Sequence, residues 1–144
     1  MDAHDLLLSA GWYPGRQVDV VDQIAALEAE EFTVTDAAAA FLREFSDLSL
    51  VGPGNRNPLE IGGPDLPLDA DSGWCDLYAD AIGTALTPVG EYSNLVLFIA
   101  ADGKFWGGFE NEYGCAGSSL DDVLRGLFID SPGWKFDRWV ENGA

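Results

Sequence analysis

The sequence predicts a single α+β domain over residues 1–144. Apolar residues recur at helical spacing in the N-terminal third, strand-length apolar runs separated by glycine-containing turns fill the middle, and a helical pattern returns near residue 120. We therefore expect N-terminal helices, an antiparallel sheet of four to six strands with a central hairpin, and a C-terminal helix packed on the sheet. The chain is 47% hydrophobic, which is typical of a folded core and not of a disordered segment.

Two helices and a short helical stub are expected before residue 47. The stub ends at Gly11, because glycine is favoured just after a helix C-terminus. The second helix is indicated by apolar residues at helical spacing, namely Val20, Ile24 and Leu27. For the third we expect Thr35 as the N-cap, and its buried face is formed at positions i, i+3, i+4 and i+7 by Ala38, Phe41, Leu42 and Phe45.

Strand signals follow. Short strands are predicted at 48–51 and 58–61, then an acidic loop, then a helix over 74–86 that ends before Pro88. The continuous apolar run at 95–101 is typical of a central strand covered on both faces, and an Asp-Gly hairpin turn joins it to a strand at 104–109. Residues 113–116 would add a short edge. The last helix carries an apolar face over 120–128 and is capped by Ser118 or Ser119.

Net charge is the strongest indicator of partners. Twenty-five Asp and Glu residues against seven Lys and Arg give a formal charge of −18. Such a surface repels phosphate backbones and anionic lipids and attracts basic partners, so we expect no direct nucleic-acid or membrane ligand and a basic macromolecule instead. The alternative is that acidity serves solubility alone. The N-terminus lacks a signal-peptide pattern and no apolar run has transmembrane length, which predicts a cytoplasmic protein.

No catalytic, cofactor-binding or metal-ligating residues are predicted. The sole histidine, His4, is far in sequence from both cysteines and is expected on the surface. Cys75 and Cys115 could pair, but reduced core thiols are the expectation. Residues 69–80 imitate a calcium loop, yet Trp74 occupies the position where that loop needs glycine. A metal-dependent hydrolase that uses the clustered carboxylates stays a rival hypothesis.

Several segments resemble the third subgroup of the SUKH immunity-protein superfamily. They are Gly-Trp-Tyr-Pro-Gly-Arg at 11–16, the helix ending Ala-Leu-Glu-Ala-Glu at 26–30, Ala-Phe-Leu-Arg-Glu-Phe at 40–45, Pro-Val-Gly-Glu at 88–91, and the hairpin. The resemblance spans about residues 5–130, and residues 131–144 form an aromatic tail outside it. It implies a SUKH-like α+β fold and an antidote that binds a cognate bacterial toxin, often a nuclease or another nucleic-acid-modifying domain, and blocks it without catalysis.

The resemblance supplies no contact residues, so the interface is predicted from charge and aromatic content. We expect an acidic surface to dock on a basic toxin cleft, with exposed aromatic residues as buried anchors. The expected contact residues are Asp69, Asp71, Asp76 and Asp80 in an acidic loop and helix, Glu91 and Tyr92 in a turn, and Asp102, Trp106, Glu110, Glu112 and Tyr113 along a hairpin strip. The alternative is a general interaction or regulatory module of the same fold without a toxin partner.

Overall fold

A computed structural model describes residues 2–52, 58–62, 72–92, 95–109, 112–129 and 137–138. The predicted α+β class and the helix after the strands are confirmed. No helix within these ranges is long and apolar enough to cross a membrane. In chain order the elements are α1 (Ala3–Ala10), α2 (Val21–Ala29), α3 (Asp36–Phe45), β1 (Leu48–Leu50), β2 (Leu59–Ile61), α4 (Ser72–Ile82), β3 (Leu86–Tyr92), β4 (Leu95–Ala100), β5 (Phe105–Phe109), β6 (Glu112–Gly117), α5 (Leu120–Leu124), a π-helical turn (Arg125–Ile129) and β7 (Asp137–Arg138).

The strands form one antiparallel sheet in which each strand pairs with the next along the chain. Six strands have three or more residues, and a two-residue strand, β7, pairs with β6. Directly paired residues share a face of an antiparallel sheet. Ile99 pairs with Phe105, and Phe98 pairs with Trp106, so neighbouring rows point to opposite faces.

Helices lie on both faces of the sheet. Phe105 contacts Phe41 of α3 with ring centroids 5.1 Å apart, so we call this side the α3 face; α1 contacts β1 and α5. Phe98 contacts Tyr78 of α4 at 6.0 Å, and we call this side the α4 face. From Val96 to Ala100 every residue of β4 is buried, which confirms the predicted central strand covered on both faces.

The predicted helix end and turn around residues 83–92 are wrong. Helix α4 ends at Ile82, where Gly83 adopts a φ of +89°, and residues 86–92 form the long strand β3 between β2 and β4. Glu91 and Tyr92 therefore lie in a strand and not in a turn. Pro88 concealed the strand because proline cannot donate to a sheet, and here it sits at an irregularity in the register between Pro88 and Gly90.

The predicted helix caps are largely confirmed. Gly11 ends α1 with a φ of +107°, Thr35 Oγ1 accepts a hydrogen bond from the Ala38 N–H, and Ser119 caps α5. The stub is a full helix, since Asp2 and Asp5 form a reciprocal capping box. The Asp5 backbone N–H lowers the pKa of the Asp2 carboxyl, so this cap stabilises the helix above the carboxyl's unfolded-state pKa and is lost as the pH falls.

Two expectations about single side chains have mixed outcomes. Cys75 is buried as expected, but Cys115 is exposed on β6, and both cysteines are free thiols. Cys115 pairs with Trp106 of β5, and its own strand, β6, is the last but one of the sheet. His4 is exposed, as predicted, and its ring meets the edge of Trp12 with centroids 5.5 Å apart.

Replacing Gly108 with Ala tests the packing of α4. A Cβ there would lie 2.7 Å from Tyr78 Cε2 and 3.0 Å from Phe98 Cε2, two ring atoms of the core. We expect Gly108→Ala to lower the free energy of unfolding by about 1–3 kcal/mol in urea denaturation. Ser49→Ala, at an exposed position of β1, is the control and should change it by less than about 0.5 kcal/mol. Equal stability of the two variants would contradict the described helix position.

Candidate functional site

An acidic groove lies between the C-terminal part of α4, Thr33 and the start of β3. Asp76 and Asp80 are exposed and one helical turn apart, while Cys75 and Tyr78 on the other side of the helix are buried. The groove has a volume of about 390 Å³ and is lined by Thr33, Asp76, Ala79, Asp80, Gly83, Thr84, Ala85 and Leu86. Leu77, 42% exposed, lies between the two carboxylates in sequence. The groove therefore combines two negative charges with apolar and hydroxyl surface, and no described lining residue is basic.

Four hydrogen bonds fix the walls of this groove. Thr87 on β3 donates its hydroxyl proton to the Thr33 carbonyl at 2.7 Å, which ties the α2–α3 loop to the sheet. The Cys75 thiol lies 3.5 Å from the Leu86 carbonyl and links α4 to the start of β3. The Gly83 and Thr84 N–H groups both donate to the Ala79 carbonyl and close the end of α4. The carboxylates are thus carried on a positioned helix and not on a free loop.

Asp102 lies at the same end of the sheet as the groove. It is in the β4–β5 turn, where Gly103 has a φ of +90° as the predicted Asp-Gly hairpin requires. Ala101, the residue before Asp102, donates its N–H to the Ala85 carbonyl at 3.0 Å, and Ala85 lines the groove. The structure therefore brings three of the predicted contact residues, Asp76, Asp80 and Asp102, to one end of the molecule.

Glu91, Tyr92 and Tyr113 lie toward the opposite ends of their strands. Glu91 pairs with Val96, Val96 with Gly108, and Gly108 with Tyr113, so Glu91 and Tyr113 belong to one row on the α4 face. Tyr92 points to the α3 face, where its ring meets Phe128 at 5.7 Å. The predicted contact residues are therefore divided between two ends and two faces of the sheet.

Glu60 is an acidic residue that the sequence analysis missed. It is exposed on β2 and lies directly opposite Glu91 across the β2–β3 pair. Like charges in this position reduce sheet stability. The available sequence signal was the alternation of the apolar residues Leu59 and Ile61 with the charged Glu60. The pairing of Glu60 with Glu91 could not be predicted, because strand β3 was not predicted.

Trp106 is half-buried and is not a projecting surface residue. It packs against Tyr113 with ring centroids 6.3 Å apart, on the face that α4 covers. Its indole Nε1 is buried and has no hydrogen-bond partner among the described residues; a buried donor without a partner typically costs about 1–3 kcal/mol. A partner would reach this ring only at its exposed edge.

The side chains of the four remaining predicted contact residues are outside what the structure describes. Asp69, Asp71 and Glu110 lie outside the described residues. Glu112 begins β6, but only its backbone position is described. Of the aromatic tail at 131–144, the structure describes the strand Asp137–Arg138, which pairs with Glu112 and Tyr113.

The Gly-Trp-Tyr-Pro-Gly-Arg segment at 11–16 holds the C-terminal end of α3. The Arg16 guanidinium donates to the carbonyls of Glu44 at 2.6 Å and Ser46 at 2.8 Å. Trp12 Nε1 donates to the Glu44 carboxylate at 2.9 Å, and the Val18 N–H donates to the Arg43 carbonyl. These bonds satisfy carbonyls that a helix end leaves unpaired, and a cation is favoured there by the helix dipole. The described hydrogen bonds of this segment therefore stabilise the end of α3.

The protein is a strongly acidic α+β domain with an acidic groove. Its described residues contain no cluster of three or more potential metal ligands. The SUKH-3 immunity protein family matches residues 2–130, most of the chain, so the chain belongs to this family. Membership supports an immunity function and implies a cognate toxin as partner. No curated protein and no solved structure matches the chain significantly.

Replacing Arg16 with Lys tests the role of the 11–16 segment. Lysine keeps the charge but cannot donate to both carbonyls through a planar fork, so we expect the free energy of unfolding to fall by about 1–2 kcal/mol. The matched control is Arg43→Lys, because Arg43 lies on the same helix end but is exposed, and it should leave stability unchanged in the same urea titration. A wild-type midpoint for Arg16→Lys would show that these two hydrogen bonds are dispensable.

Proposed function

We propose that this chain neutralises a cognate bacterial toxin by non-catalytic occlusion, with the acidic groove end of the molecule seated on a basic surface of the toxin. The toxin that fits best is a nuclease or another nucleic-acid-modifying domain, since such a domain presents Lys and Arg to bind phosphate. The carboxylates would take the place of the polyanion that these cations normally hold.

The observation that carries this proposal is the placement of Asp76, Asp80 and Asp102. Asp76 and Asp80 line a groove of about 390 Å³ with apolar and hydroxyl walls, and Asp102 lies at the same end of the sheet. A groove of this kind accepts a long basic side chain, since its methylene groups can lie on Ala79 and Leu86 while its charged head meets a carboxylate. Leu77 adds exposed apolar surface on the same helix.

The net charge of −18 adds a long-range contribution to these local contacts. An acidic protein approaching a basic cleft is steered electrostatically, and its association rate rises well above the neutral value at low salt. The same field opposes direct contact with nucleic acid. Binding to the toxin rather than to its substrate therefore agrees with both the charge and the family.

The first experiment is co-expression with the toxin domain encoded beside the gene for this chain. We expect growth to be rescued and the two proteins to purify together as a complex. If the neighbouring gene encodes no toxin and the chain binds another cellular protein instead, it is a general interaction module of the same fold.

The groove itself is tested by reversing its charges. The double variant Asp76→Lys, Asp80→Lys should weaken toxin binding by at least about tenfold, mainly through the association rate at low salt. The control is Glu28→Lys, Glu30→Lys, which changes the net charge by the same amount at exposed positions near the end of α2. Surface plasmon resonance with both variants separates the local contact from the general field. An equal loss in both would remove the groove from the interface.

A further inference from the structure

We infer that a second groove, between residues 15–17 and α3, is a separate contact surface that binds an acidic side chain of the partner protein through Arg43 and Arg16. This inference rests on the proposed toxin-binding function and gives the toxin a second point of attachment. It concerns a part of the molecule that the acidic interface does not use.

The groove gathers positive charge in a chain that has little of it. Its volume is about 320 Å³, and it is lined by Gly15, Arg16, Gln17, Ala40, Arg43 and Glu44. The basic side chains that the structure describes are Arg16, Arg43, Lys104 and Arg125, so two of these four lie in one groove. Both lie at the C-terminal end of α3, where the helix dipole favours a cation.

The two arginines differ in how they are held. Arg16 is half-buried and fixed by its bonds to the Glu44 and Ser46 carbonyls, which use two of its five N–H donors. Arg43 is exposed, and within the described part of the chain its side chain has no hydrogen bond or ion pair. A fixed cation beside a free one is suited to an incoming anion, because the free guanidinium can close on it.

The carboxylate already in the groove is held by another group. Glu44 Oε2 accepts the indole N–H of Trp12 at 2.9 Å, which draws that carboxylate toward the Trp12 side. The negative charge of Glu44 weakens the binding of polyanions in this groove. Arg43 stays available for one further carboxylate. Arginine binds carboxylates in a planar, two-bond geometry that gives both strength and orientation.

The net charge indicates which kind of anion can bind in this groove. At −18 the chain repels free anions and nucleic acid, and two arginines attract only within about 10 Å at ordinary salt. An Asp or Glu on a protein that is already docked elsewhere avoids this barrier, since tethering raises its local concentration. The occupant that fits is therefore a protein carboxylate and not a phosphate.

Tyr13 adds an exposed aromatic residue close to the groove in sequence. It is 54% exposed, and its carbonyl accepts the backbone N–H of Arg16, which lines the groove. Tyrosine and arginine are enriched among residues that dominate binding energy. The segment therefore carries residue types that protein interfaces favour.

The test measures the dissociation constant for the cognate toxin domain with single variants of the full chain. Arg43→Glu should weaken binding at least about tenfold, mostly through faster dissociation, and Arg43→Gln should weaken it less. Lys104→Glu is the matched control: it changes the charge of another exposed cation equally and should not weaken binding. Arg43→Gln also guards against a folding defect, which thermal melting of each variant checks.

A further step identifies the occupant. Asp and Glu residues on the toxin surface are changed to Arg one at a time, and one of them should restore binding to Arg43→Glu. Wild-type affinity in both Arg43 variants would overturn the inference, as would an equal loss in Lys104→Glu.

The two proposals fail in different ways. If the Arg43 variants bind normally while Asp76→Lys, Asp80→Lys binds weakly, this groove is excluded and the acidic interface stands. The reverse pattern keeps this groove and excludes the acidic interface. A wild-type chain that does not bind the toxin overturns both.

Discussion

Burial of strand β4 on both faces is the constraint on which the rest of the structure depends. Five consecutive residues from Val96 to Ala100 are buried, so the sheet needs helices on each side. Phe105 on the neighbouring strand meets α3, and Phe98 meets Tyr78 of α4. The glycine at 108 leaves room for the Tyr78 ring. The position of α4, and with it the acidic groove, follows from how this strand is covered.

The same constraint separates the two kinds of surface. Among the described elements, the α4 face is covered by one helix, α4. Acidic residues on the exposed side of this helix, such as Asp76, and on strands beyond it, such as Glu60, are exposed. On the α3 face several helices meet, and the 11–16 segment is needed to satisfy the end of α3. Arg16 and Arg43, two of the four basic side chains that the structure describes, lie at that end of α3. The 11–16 segment is thus explained by a helix end that must be capped, and the same helix end carries the basic groove.

Much of the fold could be predicted from sequence because local signals agreed with it. Gly11, Thr35 and the Asp-Gly turn each met a backbone requirement that only a few residue types satisfy. Strand β3 could not be predicted because Pro88 is tolerated there only through an irregular register with β4, which is a property of the pair and not of the segment.

The candidate site was predictable only in part. Asp76, Asp80 and Asp102 were expected as contact residues because of their charge, and the structure places all three, exposed, at one end of the sheet. Tyr92 and Trp106 were expected as partner anchors, yet Tyr92 packs on Phe128 and Trp106 on Tyr113, because strand pairing decides which face a side chain meets. The Arg16–Arg43 groove depends on contacts between residues that are nearly thirty positions apart in the sequence. No local sequence pattern indicates such contacts.

The association rate constant for the cognate toxin domain as a function of ionic strength tests the central claim most directly. Electrostatic docking of a −18 chain on a basic surface predicts a rate that falls steeply as the screening length shrinks from about 30 Å at 0.01 M to about 8 Å at 0.15 M salt. A rate that stays constant over this range would contradict the account, since binding would then owe nothing to the acidic surface.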